Sequence, residues 1–365
     1  RIAVPQSRLA QVVGALAALD AVQWIERYDM PHTHNANAVW PIQANQAAGA
    51  NPIGNAPIWA QDITGTGQIV AVADSGLDRN EGWFTQLNGN TEITNSENTN
   101  PPTPGTVYPA RKIYGYFSMP GASPYDDNAT CPGGSPTSFH GTHTSGSVAG
   151  DSGTASTPTD PGQNTGDGMA PNAQLLFQDI GNDSSGCLSG LGGLPMWQQA
   201  KAAGAYISSN SYGSAYANAP FYTAGDAEVD QTLWLNEDML IAFSAGNEGS
   251  AATTIGHPGH SKHALTVGAL GNGNSTTVAT FSSRGPTSDG RRKPDIMAPG
   301  SSIVSAAGDD NDTTVDAPTT ATLSGTTLED SESQGLVFSL KIYSAPHSFA
   351  APACRQAGFI FYVRL

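Results

Sequence analysis

Six short apolar runs constrain the fold of this chain more than any other feature: residues 68–73, 173–177, 206–209, 239–244, 264–267 and 303–306. They are rich in β-branched residues and lack apolar–polar alternation, as strands buried on both faces do. Helical stretches at 196–203 and 226–236 lie between several of them. Alternating strands and helices predict an α/β fold: a doubly wound, mostly parallel sheet flanked by helices and joined by right-handed crossovers. In such sheets ligands bind beyond the carboxyl ends of the strands. The chemistry is therefore sought there.

The chain has 365 residues, enough for one large α/β domain or two smaller ones. Its 31 acidic and 15 basic side chains leave a formal charge of −16. That excess argues against nucleic acid or an anionic membrane surface as partner, since both require a basic face. It is compatible with solubility, secretion or calcium binding, although no twelve-residue calcium loop is present and no metal ligands are assigned. No apolar run reaches the roughly 18–20 residues that span a membrane. Three cysteines, Cys131, Cys187 and Cys354, give no disulfide framework and no zinc spacing. An oxidising compartment would permit one bridge, Cys131–Cys187. Residues 1–56 differ from the rest, with a helix expected at 7–19, a strand at 21–28 and an Asn/Ala/Pro-rich connection after them.

Three positions carry candidate chemistry. Asp74 ends the first apolar run, where a carboxylate is costly unless paired or hydrogen-bonded; an Asp turning the chain before Gly76 is the plain alternative. His140-Gly141-Thr142-His143 sets an imidazole at the start of a small-residue helix, which suits a general base. A capping histidine and a His140/His143 metal pair are the competing readings, but no adjacent Glu completes a zinc-hydrolase motif. Ala245-Gly246-Asn247 delivers an amide between glycines at the end of another apolar run, free to donate to a ligand or simply to turn the chain.

The order Asp, His, Asn, each in this local setting, resembles the subtilisin family of serine peptidases. Asp74-Ser75-Gly76, His140-Gly141-Thr142-His143 and 244–249 match that family's three blocks, and 281–285 and 293–300 match two more. Residues 168–171 and 190–195 are worded most like the large alkaline subtilases. The resemblance implies a serine endopeptidase working through an acyl-enzyme. Asp74 would orient His140, His140 would act as general base and acid, and Asn247 would donate to the oxyanion. It also implies that Ser211, Gly213, Ala245 and Gly246 line the first specificity pocket. Leu191, Gly192 and Gly193 would offer an edge to extended substrate. The family often carries a prosegment, which residues 1–56 would represent, and often binds structural calcium; no cofactor is required for the chemistry.

The nucleophile block departs from the family pattern. Its left half stands as Ser324-Gly325-Thr326 and its right half as Ser348-Phe349-Ala350-Ala351-Pro352. Removing 327–347 restores Ser-Gly-Thr-Ser-Phe-Ala-Ala-Pro, the pattern of the family. An insertion into a functional motif follows, from a retained intron or a gene-model error, with an aberrant tail over 354–365. Ser348 is the expected nucleophile and Thr327 its rival; Ser324, Ser331 and Ser333 read as loop residues. Pro346-His347 replaces the Gly-Thr that lets the backbone turn tightly. The alternative is a catalytically impaired relative of the same fold that binds peptides. Expected partners are proteins or peptides, the expected state is a monomer, and the expected location is secreted or endolysosomal.

Overall fold

A computed structural model describes residues 11, 15, 32–33, 58–61, 63–84, 103–126, 128–132, 139–151, 167–189, 193–214, 221–271, 276–309 and 319–324. Seven strands form the central sheet: β1 (Ile69–Asp74), β2 (Ile113–Ser118), β3 (Gln174–Asp179), β4 (Ile207–Asn210), β5 (Leu240–Ser244), β6 (Leu265–Leu270) and β7 (Ile296–Pro299). Their order is β7-β6-β5-β4-β1-β3-β2, and every neighbouring pair is parallel. The chain winds from β1 toward β2 on one side and from β4 toward β7 on the other. The switch point of this doubly wound sheet therefore falls between β1 and β4.

The missing alternation in the apolar runs has a direct cause. In β1, Val70 and Val72 pack with Leu175, Phe177, Trp83 and Val148 on one face. Ala71 and Ala73 pack with Leu176, Trp197, Phe243 and Ile241 on the other. Both faces are dry, so both phases of the strand period must be apolar. The first face is covered by helix α1 (His140–Ala149). The second is covered by α2 (Gly193–Ala202) and α3 (Ala224–Leu235). α3 starts with a capping box, in which Thr223 and Asp226 satisfy each other's backbone N–H.

Two expectations need correction. The run at 303–306 is not a strand of the central sheet; it forms β8 (Ile303–Ala306), paired antiparallel with β9 (Thr320–Leu323). This hairpin lies against α1, with Ser305 Oγ donating to His143 O at 2.9 Å. β2 and β7 were not expected, although both occupy sheet edges. β2 has a Tyr-Gly-Tyr centre and β7 ends in proline, and edge strands need neither continuous apolar character nor a full set of N–H donors. The bridge Cys131–Cys187 is formed, with Cα atoms 4.6 Å apart. It ties 131 to a short hairpin (Gly181–Asn182 with Cys187–Leu188) that follows β3. Of the helix expected at 7–19, residues 11 and 15 are described and are helical; the rest of it, the strand expected at 21–28, the insertion and the tail lie outside the described residues.

Candidate active site

Three adjacent strands bring the candidate residues to one edge. Parallel registry places Ala73, Asn210 and Phe243 in one row across β1, β4 and β5. Asp74, Ser211 and Ser244 therefore emerge side by side at the carboxyl edge, about 4.8 Å apart from strand to strand. All three are buried. This row lies at the switch point.

Asp74 is fully buried and its carboxylate is fully used. Oδ1 accepts from Ser75 N at 2.7 Å and lies 2.6 Å from His140 Nδ1; Oδ2 accepts from Thr144 Oγ1 at 3.2 Å. A carboxylate on Nδ1 selects the tautomer with hydrogen on that nitrogen, leaving the Nε2 lone pair available to take a proton. Nε2 of His140 is buried and has no hydrogen-bond partner among the described residues. A buried imidazole oriented on one side and unpartnered on the other is the arrangement a general base requires.

Close packing of α1 against the turn after β1 makes this contact possible. A Cβ on Gly141 would lie 1.9 Å from Gly76 O, so only glycine lets the helix approach. Gly76 has φ +145, and a Cβ there would meet Tyr125 O and Asp126 Cα at 2.7 Å. The first-turn N–H groups of α1 have no local cap, because Phe139 offers no side-chain acceptor. They are satisfied from elsewhere in the chain. Gly141 N donates to Ser75 Oγ at 3.1 Å, and Thr142 N and Oγ1 donate to Asp126 Oδ2 at 3.0 and 2.8 Å. Ser75 Oγ donates to Asp126 Oδ1 at 3.2 Å. Burial pushes the Asp126 carboxyl well above the usual range, against the hydrogen bonds from Thr142 and Ser75 that oppose it; the Asp74 charge adds to the rise.

The loop after β5 is braced by the stretch at 281–285. Ser283 N donates to Gly246 O at 2.8 Å, Glu248 N to Ser283 Oγ at 3.0 Å and Gly249 N to Phe281 O at 2.8 Å. Half-buried Asn247 sits between these anchors. Gly256 N donates to Ala245 O at 2.8 Å, and His257 exchanges backbone hydrogen bonds with Ser214. Residues 256–257 thus bridge Ala245 and Ser214, next to the expected pocket residues Ser211, Gly213 and Gly246.

The remaining expected residues fall in different places. Gly193 opens α2, with Glu228 against its α-carbon, and is not part of a free strand edge. Leu191, Gly192, Thr327 and Ser348 lie outside the described residues. Ser324 follows β9, where its Oγ accepts from Ser302 N at 2.8 Å. Ser324 is thus held beside the hairpin that lies on α1, and Gly325 and Thr326 lie outside the described residues. His143 is fully buried behind His140 on α1; burial and the neighbouring His140 pull its imidazole down to about 3. The one three-residue group of metal-binding side chains among the described residues, Asp226, His257 and His260, does not include His143. Reasoning from sequence missed Asp126, Thr144 and the 254–257 loop. The Asp-Asp at 126–127 carried no spacing signal that could have singled it out.

The subtilase family model matches residues 65–330. Serine protease AprX of Bacillus subtilis is 49% identical over 72 residues, 18% of this chain and 16% of that protein. A serine protease/ABC transporter B family protein, tagA of Dictyostelium discoideum, is 27% identical over 285 residues, 75% of this chain and 14% of its own. The chain thus spans less than a fifth of the length of these curated relatives. Among solved structures, Sphericase superposes with TM-score 0.51 at 25% identity, covering 77% of this chain and 79% of its own. Fervidolysin from Fervidobacterium pennivorans superposes with TM-score 0.52 at 19% identity, covering 86% and 45%. With the family model covering most of the chain and the dyad in place, this protein belongs to the subtilase family.

Proposed function

We propose that this chain is a serine endopeptidase acting through Asp74, His140 and Ser348, with Asn247 as oxyanion donor. The observation that carries the reading is the buried Asp74–His140 pair at 2.6 Å with His140 Nε2 left without a partner among the described residues. His140 would take the hydroxyl proton of the serine as it attacks the peptide carbonyl, and later protonate the leaving amine. Asp74 would stabilise the imidazolium formed between those steps. The Asn247 amide would donate to the tetrahedral oxyanion.

The substrates are proteins or peptides in extended conformation, pairing with the backbone at 211–213. A segment of the chain itself supports this: His32–Thr33 pairs antiparallel with Tyr212–Gly213. Strand addition of this kind is how a peptide docks on an exposed sheet edge. It also supports residues 1–56 as an inhibitory prosegment preceding a catalytic domain at 57–365. The Cys131–Cys187 bridge supports an oxidising, secretory location. No described helix is long and apolar enough to cross a membrane. Structural calcium stays a proposal of the resemblance, and no chemical step depends on it.

A fluorophosphonate probe on the purified chain, followed by peptide mapping, tests the reading. Labelling at Ser348 that vanishes in His140→Ala is expected if the triad assembles across the insertion. Labelling that appears only after deletion of 327–347 would show an impaired site in this chain. No labelling in either form would overturn the assignment.

A further inference from the structure

A second cluster of chemically able side chains lies apart from the dyad, behind the loop at 256–257. Asp226, His257 and His260 are all buried, and one ligand atom from each lies within 4.8 Å of the other two. The two imidazoles sit with ring centroids 4.9 Å apart. Asp226 is unevenly used. Its Oδ2 accepts from Thr223 N at 2.8 Å, Thr223 Oγ1 at 2.9 Å and His257 Nδ1 at 2.6 Å. Its Oδ1 is buried with no hydrogen-bond partner among the described residues. A buried carboxylate oxygen left without a donor is costly, and such atoms call for a ligand.

We infer that Asp226, His257 and His260 form a binding site for a divalent first-row transition ion of the zinc type. Two imidazoles and one carboxylate are a nitrogen-rich set that suits zinc or cobalt and does not suit calcium, which takes six to eight oxygens. Ligands about 2.0–2.2 Å from a tetrahedral zinc stand roughly 3.3 Å apart, so the cluster closes on an ion with side-chain shifts of about 1 Å. For His257 to ligate through Nδ1, its ring hydrogen moves from Nδ1 to Nε2 by exchange with solvent, so the neutral ring offers the Nδ1 lone pair to the ion, which also meets the orphaned Asp226 Oδ1. Arg291 is a nearby cation that would oppose it. Its Nη2 donates to His260 O at 3.0 Å, but Asp289 holds its Nε at 2.8 Å and offsets the charge.

The site has a functional consequence because of what it anchors. His257 exchanges backbone hydrogen bonds with Ser214 at 2.8 and 3.0 Å, and the preceding Gly256 bonds Ala245. Asp226 belongs to the first turn of α3. A bound ion therefore clamps α3 to the segment that bridges Ala245 and Ser214. It acts on stability and on the pocket, not on the reacting atoms.

The test uses the whole chain, stripped of metal with a chelator and titrated separately with Zn2+, Co2+ and Ca2+. One Zn2+ per chain, a saturable rise in Tm of several degrees and an intense visible Co2+ spectrum of tetrahedral type are expected, with Ca2+ reproducing none of these. His260→Gln retains the bulk of the side chain and should weaken Zn2+ binding at least tenfold while leaving the metal-free Tm nearly unchanged. If that variant misfolds, the Co2+ spectrum of the unaltered chain still decides, because a six-coordinate, weak spectrum would refute a nitrogen-rich site. Zn2+ binding weaker than about 1 mM, or equal binding by His260→Gln, overturns the proposal.

Discussion

Thr142 places both its backbone N–H and its hydroxyl on a single oxygen of Asp126, at 3.0 and 2.8 Å, across 16 residues of sequence. This contact supplies the cap that α1 lacks locally, two residues from His140. Asp126→Ala would leave Thr142 and Ser75 donors buried without an acceptor, at about 1–3 kcal/mol for each orphaned group. We expect a loss of about 2–4 kcal/mol in urea unfolding, with kcat falling more than KM rises because His140 is less firmly seated. An unchanged unfolding midpoint would show that Asp126 does not anchor the helix.

Asp74→Asn preserves shape but reverses the tautomer preference, because an amide can donate to Nδ1. Turnover should fall by about 10⁴, the loss known for the corresponding exchange in a trypsin-type triad. KM should change little. Steady-state kinetics on a peptide substrate, paired with the rate of fluorophosphonate labelling, checks this. Equal activity in the two proteins would remove Asp74 from the mechanism.

Under the proposed mechanism, Asn247→Ala removes the donor to an oxygen that becomes charged only in the transition state. The expected cost is roughly 10²–10³ in kcat, the value known for this donor in subtilisin, with KM near the starting value. A change confined to KM would assign Asn247 to ground-state binding instead.

The Cys131–Cys187 bridge closes a loop with a sequence separation of 56. Loop-closure entropy for that length corresponds to about 4 kcal/mol at 25 °C. The double variant Cys131→Ser, Cys187→Ser should lose stability on that scale, and a reducing agent should do the same to the parent chain. Thermal unfolding with and without reductant measures it.

His143 makes stability depend on acid. Its imidazole is held down to about 3 by burial, whereas an unfolded chain titrates near 6.5. Between those values the unfolded state binds more protons, so the stabilisation is complete above about pH 6.5 and is lost as pH falls toward 3. His143→Leu should flatten that acid limb. Guanidinium midpoints at pH 7 and pH 4 provide the comparison; an equal drop in both proteins would place the acid sensitivity elsewhere.

The apolar runs, the end of β1 at Asp74, the start of α1 at His140 and the loop at Asn247 were all legible from residue order. Each depends on local rules: continuous apolar stretches form strands buried on both faces, and small or turn-forming residues break them. The sequence by itself therefore determined the doubly wound class and the membership of Asp74 and His140 in one site. It did not determine that 303–306 would leave the sheet for a hairpin, since an apolar run reads alike whether its partner is parallel or antiparallel. Nor did it reveal Asp126 as the cap of α1, or bring Asp226 to His257 and His260. Those contacts join residues 16 to 34 positions apart whose spacing carries no periodic signal. Tertiary packing decided them, because a buried carboxylate must find its donors wherever the fold places them, and only the folded chain specifies where that is.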